Sequence, residues 1–214
     1  MKLIDMSIIE FCEEVDSNSP APGGGSVAAL ASDIGIGLAR MMAHLSFGKK
    51  KYEGLDEDIR AEFVDRFNKL GDIRQELVEL IDKDTESFNE VMKAMRMPKE
   101  TEQEIKLRKN AIQDATLFSI DVPFKTAKLS LKALELLQYL VKHGNQNAIT
   151  DIGVGTLMLY TGLEGAILNV KVNLMGIDNR ELHDTYSGSC KQILSDAKII
   201  KDKLIEDIHL KLES

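Results

Sequence analysis

Residues 17–52 read SNSPAPGGGSVAALASDIGIGLARMMAHLSFGKKKY, and how this stretch is parsed decides the fold. Two prolines and three consecutive glycines make a loop, because neither residue type suits a helix or strand interior. From Val27 to Phe47 the chain then runs apolar and proline-free, with many small side chains. Ala28, Ser32, Gly35, Ala39 and Ala43 are three or four residues apart and share one helical face. Glycine inside a helix costs about 1 kcal/mol relative to alanine, so such a face is expected to be compensated by close approach of another backbone. Beside it, Asp33, Gly37, Arg40 and His44 form a polar stripe, expected to face solvent, pair internally or line a subunit contact. Its charges argue against a lipid-spanning role.

The device recurs downstream, where Asp151, Gly155, Gly162, Ala166, Asn169 and Asn173 fall on one face. Two such helices suit each other as buried central partners. The polar members of this second face read either as a cap (Asp151) and interhelical hydrogen bonds (the asparagines) or as part of a ligand site.

The remainder is consistent with helices only: 4 prolines, 5% aromatics and apolar residues recurring three and four apart. The expectation is an all-α protein, a helical bundle with long central small-residue helices, forming one domain over 1–214. Ser7 caps a first helix spanning Met6 to Val15, and Ser26 leads into the second. KKKYEGLDED separates that one from an amphipathic helix over Glu57 to Met97, with Gly71 as a candidate break and Pro98 as the stop. Thr101 and Glu104 have capping-box spacing and open a helix toward Ser119. DVP at 121–123 is expected to reset the chain before a Leu-rich helix ending at His143 and Gly144. Helices from about Asp151 to Met175 and from Asp178 to Leu212 complete the chain.

A net charge of −8, from 35 acidic and 27 basic residues, argues against a nucleic-acid binder, which needs a basic face. Cys12 and Cys190 match no zinc or redox spacing and read as buried thiols. The four histidines form no metal motif, and no Ser/His/Asp or Cys/His constellation is evident. The N-terminal MKLIDMSIIEF interrupts its apolar run with polar residues, so it is read as no signal peptide and the protein as cytoplasmic.

Chemistry is expected from another stripe: Ile73, Leu77, Leu80, Asp84, Phe88, Val91 and Met95 share a helix face that is apolar except at Asp84. A carboxylate there must find donors, change its pKa or meet a ligand, which makes Asp84 the leading candidate for acid or base work. The glycine loop matches neither the phosphate loop of nucleotide hydrolases nor the dinucleotide fingerprint. Its exposed amides and the following helix N-terminus would suit a flat ligand. Lys49, Lys50, Lys51 and Tyr52 form a cluster able to hold carboxylates.

Taken together, SPAPGGGSVAAL…MMAHLSFGKKKY, DKDTESFNEVMKA, DVPFKTA and GNQNAITDIGVGTLMLYTGLEGAILNVKVNL resemble, in order, the cyclodeaminase/cyclohydrolase family of folate one-carbon enzymes, over Phe11 to about Leu174. The family includes the cyclodeaminase half of formiminotransferase-cyclodeaminase and free-standing methenyltetrahydrofolate cyclohydrolases; this chain looks like a free-standing member. The resemblance implies an all-helical homodimer with folate, possibly polyglutamylated, bound near the subunit interface, and no metal or redox cofactor. On that basis Asp84 and Asp151 are the expected catalytic residues. Asn145 and Asn147 are expected on the pterin or a water, Gly23, Gly24, Gly25 and Ser26 as backbone contact, and Lys49 and Lys50 on the glutamate tail. Cyclohydrolase is the preferred reaction because it needs no formiminotransferase partner; cyclodeaminase and a non-catalytic folate-binding helical protein are the alternatives. Asp33, in LASDIGIG, departs from the alanine-rich family pattern.

Overall fold

A computed structural model describes residues 2–213, and its regular elements are all helical. They are α1 (Ile8–Val15), α2 (Gly24–His44), α3 (Lys50–Glu53), α4 (Glu57–Met95), α5 (Glu102–His143), α6 (Ile149–Leu174) and α7 (Arg180–Glu213), with 3-10 turns at Leu3–Asp5 and Gln146–Ala148. The two capping boxes form as the spacing predicts: Ser7 with Glu10 at α1, and Thr101 with Glu104 at α5.

α2 is the axis of the bundle, packed against α6 on one side and α4 on the other; α5 bridges α4 and α6, and α7 lies outside against α6 and α5. The small-residue faces of α2 and α6 meet as their composition requires. A side chain at Gly35 would come within 2.7 Å of the Gly155 carbonyl oxygen, and one at Gly155 within 2.7 Å of the Gly35 oxygen. Two turns further along α6, Gly162 lies against Ser32 and the Ala28 carbonyl. Around this seam the core is completed by Ile36, Met42, Phe63, Leu77, Leu134 and Leu163, all sealed from solvent.

Several expectations are corrected. α2 starts at Gly24 with Gly23 as its cap residue, so Ser26 lies inside the first turn. α4 runs unbroken through Gly71, whose missing side chain leaves room for Arg40: a Cβ there would lie 2.7 Å from Arg40 Nη1. Arg40 donates to the Phe67 carbonyl and stacks 3.7 Å above its ring. α5 is one helix through Pro123. Cys12 is exposed, because α1 buries only Phe11, whereas Cys190 is buried as expected. Within KKKYEGLDED a single helical turn forms, and Tyr52 packs edge-on against Phe47 and Phe63 at 5.3 Å.

The polar stripe of α2 pairs internally. Arg74 Nε lies 2.9 Å from Asp33 Oδ1. Burial pushes the Asp33 carboxyl upward, and the charge and hydrogen bond of Arg74 oppose that shift.

Candidate active site

A helix leaves its first N–H groups without partners, and a side chain at the cap residue normally accepts one of them. α2 begins on three glycines and has no such side chain. Its cap comes from another helix: Asp84 Oδ2, on α4, accepts from the Ser26 N–H at 2.9 Å and from the Ser26 hydroxyl at 3.3 Å. The hydroxyl shares its one proton with the Ile81 carbonyl, at 2.8 Å, tying the first turn of α2 to α4. A Cβ at Gly25 would overlap the Asp84 carboxylate. Glycine is therefore required here by close approach; beside it Gly23 borders open space, and a Cβ at Gly24 would lie 3.2 Å from Asn169 Nδ2.

That space is a cleft of about 370 Å³. Its walls include Gly24 at the start of α2, Asp84 and Phe88 on α4, Ser119 on α5, and Asn169 and Asn173 on α6. Burial raises the Asp84 carboxyl above its ordinary range; the Ser26 backbone N–H and hydroxyl oppose the shift. A carboxyl so placed exchanges a proton nearer neutrality than an exposed aspartate would. On the opposite wall, Asn169 Nδ2 donates to the Gly165 carbonyl at 2.9 Å and Asn173 Nδ2 to the Ser119 carbonyl at 2.6 Å. Each amide uses one N–H in this way and keeps its oxygen as an acceptor for N–H groups of a ligand.

The expected site residues separate into two groups. Gly23, Gly24, Gly25, Ser26 and Asp84 converge at the start of α2, although Gly25 and the fully buried Ser26 serve Asp84 rather than the open cleft. Lys49, Lys50, Asn145, Asn147 and Asp151 gather beyond the other end of α2, a helix about 30 Å long. Within one chain they do not share the Asp84 cleft. Asn145 there is tied to the turn after α2: its N–H donates to Ser46 Oγ at 2.8 Å, its side chain to the Leu45 carbonyl at 3.0 Å, and its Oδ1 accepts from the Asn147 N–H at 3.1 Å.

Asn169 and Asn173 were visible in the sequence as polar members of a small-residue face, and one of the two readings offered there, interhelical bonding, holds for Asn173. Their place opposite Asp84 needed the packing of α6 on α2. Ser119 carried no signal, because the chain was expected to break near it.

Comparison with known proteins supplies the context for this arrangement. The family model for formiminotransferase-cyclodeaminase matches residues 7–192. Methenyltetrahydrofolate cyclohydrolase of Methylorubrum extorquens is 32% identical over 206 residues, covering 96% of this chain and 97% of the relative. Formimidoyltransferase-cyclodeaminase of Gallus gallus is 33% identical over 196 residues, and that of Dictyostelium discoideum 34% over 204; the chain spans only 36% of each. The crystal structure of formiminotetrahydrofolate cyclodeaminase from Thermotoga maritima superposes with a TM-score of 0.77 and 25% identity, covering 98% of this chain and 96% of that one. A matching family model over most of the length, joined to a shared all-helical fold, places the chain in the formiminotransferase-cyclodeaminase family.

Proposed function

We propose that this chain is a methenyltetrahydrofolate cyclohydrolase, a folate one-carbon enzyme that hydrates the cationic methenyl carbon and opens the ring to formyltetrahydrofolate. The observation that carries the reading is the Asp84 carboxylate, held by Ser26 at the edge of a cleft with amide acceptors on its far wall. End-to-end correspondence with a free-standing cyclohydrolase supports this reaction over others.

Asp84 has two tasks. Its negative charge stabilises the amidinium-like carbon, and it takes a proton from the attacking water as the C–O bond forms. The resulting tetrahedral carbon carries a hydroxyl between two nitrogens. Asp84 returns the proton to one ring nitrogen, that C–N bond breaks, and the hydroxyl proton leaves to solvent as the formyl C=O forms. One water is consumed and one proton released. The carbon keeps the oxidation level of formate throughout, so the reading includes no cofactor beyond the folate. Asn169 and Asn173 accept from pterin N–H groups. Asp151 lies about a helix length away and is given no part in these steps within one chain.

Further parts of the reading are a single catalytic domain over 1–214, a cytoplasmic location, and a homodimer. Exposed apolar residues support the dimer: Val27, Ile34 and Met41 on α2 and Val154, Leu157 and Leu168 on α6 face solvent, and Val27 and Ile34 line an apolar groove with Ile8, Phe11 and Met158. A soluble chain gains by covering a patch of this kind.

The second reading is cyclodeaminase, in which a formimino nitrogen leaves as ammonia from the same type of tetrahedral carbon. It is favoured by the Thermotoga maritima structure, which covers almost the whole chain. Following methenyltetrahydrofolate absorbance from both starting compounds separates them. Loss of signal from the methenyl compound, with no gain from the formimino compound, is the expected result; the opposite pattern replaces cyclohydrolase with cyclodeaminase. Folate binding without either turnover would leave a non-catalytic binding protein.

A further inference from the structure

The cleft beside Asp84 continues past Phe88. Pro20 and Phe88 form a wall shared with a second, open chamber of about 460 Å³, whose far side carries Met92, Lys93 and Arg96. α4 and its C-terminal cap order these groups: Asp84, Phe88, Met92 and Arg96 are four residues apart and rise along one face, with Arg96 about 18 Å beyond Asp84. Along this face the chemistry passes from a carboxylate, through an aromatic ring and a thioether, to a guanidinium.

Two cations, Lys93 and Arg96, stand at its end. Arg96 is exposed and forms no ion pair among the described residues. Lys93 reaches only Glu90, at 3.5 Å. Arg96 thus stands without an acid beside the apolar wall of Pro20, Phe88 and Met92, and Lys93 has only a long contact to one. A guanidinium binds a carboxylate through two parallel hydrogen bonds, and the neighbouring ammonium adds a point charge.

Resting on the folate reading above, we infer that the second chamber is the subsite for the aryl-glutamate arm of the substrate. The benzoyl ring lies against Phe88 and Met92, the first glutamate meets Arg96 and Lys93, and further glutamates extend toward solvent. This moves the tail from Lys49 and Lys50, beyond the far end of α2, to the C-terminal end of α4. Lys93 and Arg96 thereby set the preference for glutamate number without touching the reacting carbon.

The test uses p-aminobenzoyl-triglutamate, which lacks the pterin, in a direct binding titration, together with turnover of the monoglutamyl and triglutamyl methenyl substrates. All variants are surface changes, checked for fold by circular dichroism. The Lys93→Gln/Arg96→Gln protein is expected to weaken p-aminobenzoyl-triglutamate binding about tenfold or more. It should also flatten the salt dependence of binding and raise KM with kcat unchanged, more for the triglutamyl substrate. Lys49→Gln/Lys50→Gln should change none of these. An unaltered Kd and KM in the Lys93/Arg96 variant, or a loss confined to the Lys49/Lys50 variant, overturns the subsite while leaving the reaction standing. Arg96-dependent binding of the probe by a protein that turns over neither folate overturns the reaction while leaving the subsite standing.

Discussion

At the residue scale, Asp84 holds two opposing influences in balance. Burial favours its neutral form and the two Ser26 donors favour the anion; burial dominates, so the carboxyl is raised. If the anion is the base that activates water, kcat/KM should fall on the acid side with an apparent pKa above the ordinary carboxylate value, and a pH–rate profile measures this directly. Asp84→Asn, which keeps an acceptor for the Ser26 N–H, should fold and lose about a hundred- to ten-thousand-fold in turnover. The stability sign follows from linkage. A raised folded-state pKa contributes stability below the ordinary carboxylate range that is lost as pH rises through the raised value. Thermal melts of Asp84→Asn should lack that loss. Gly25→Ala should cut activity as well, since its methyl displaces the carboxylate, at about 1–3 kcal/mol of stability as for other overpacked sites. Asp84 was legible as the one charge in an apolar stripe. The reason for Gly25 was not, because it depends on α4 lying against the start of α2.

At the scale of elements, Pro123 shows why a local rule can fail. Proline has no N–H, so within α5 the carbonyl of Ser119, four residues earlier, lacks its usual donor. Asn173 on α6 supplies one, at 2.6 Å. The helix therefore continues where the sequence predicts a reset, and the compensation sits 50 residues further along the chain. A double-mutant cycle tests this. In urea denaturation, Asn173→Ala should cost about 1–3 kcal/mol in the parent, from an unsatisfied buried carbonyl. It should cost much less beside Pro123→Ala, whose restored N–H can serve Ser119. Gly71 is a parallel case, since its role as the bed for Arg40 requires knowing that α2 crosses α4 there. Periodicity sufficed for the central helices, because the small-residue faces of α2 and α6 state their need for a close partner in composition alone.

At the scale of the molecule, α2 faces inward on its glycine–alanine side and outward on Val27, Ile34 and Met41. Gly37 lies within this outer stripe with nothing near its missing side chain. A glycine that neither turns the chain nor admits a neighbour in the monomer is accounted for if a second copy packs over it. Sedimentation should find Ile34→Glu monomeric and still helical. Gly37→Ala should weaken the proposed dimer, even though alanine favours an isolated helix by about 1 kcal/mol. The borrowed cap of α2 has a consequence for observation. The Ser26 amide proton rests on the group proposed to do the chemistry, so it is a built-in indicator lamp: its chemical shift and exchange rate should follow the charge on Asp84. Titrating acid or adding folate would then be read from a single backbone resonance, with no label introduced into the cleft.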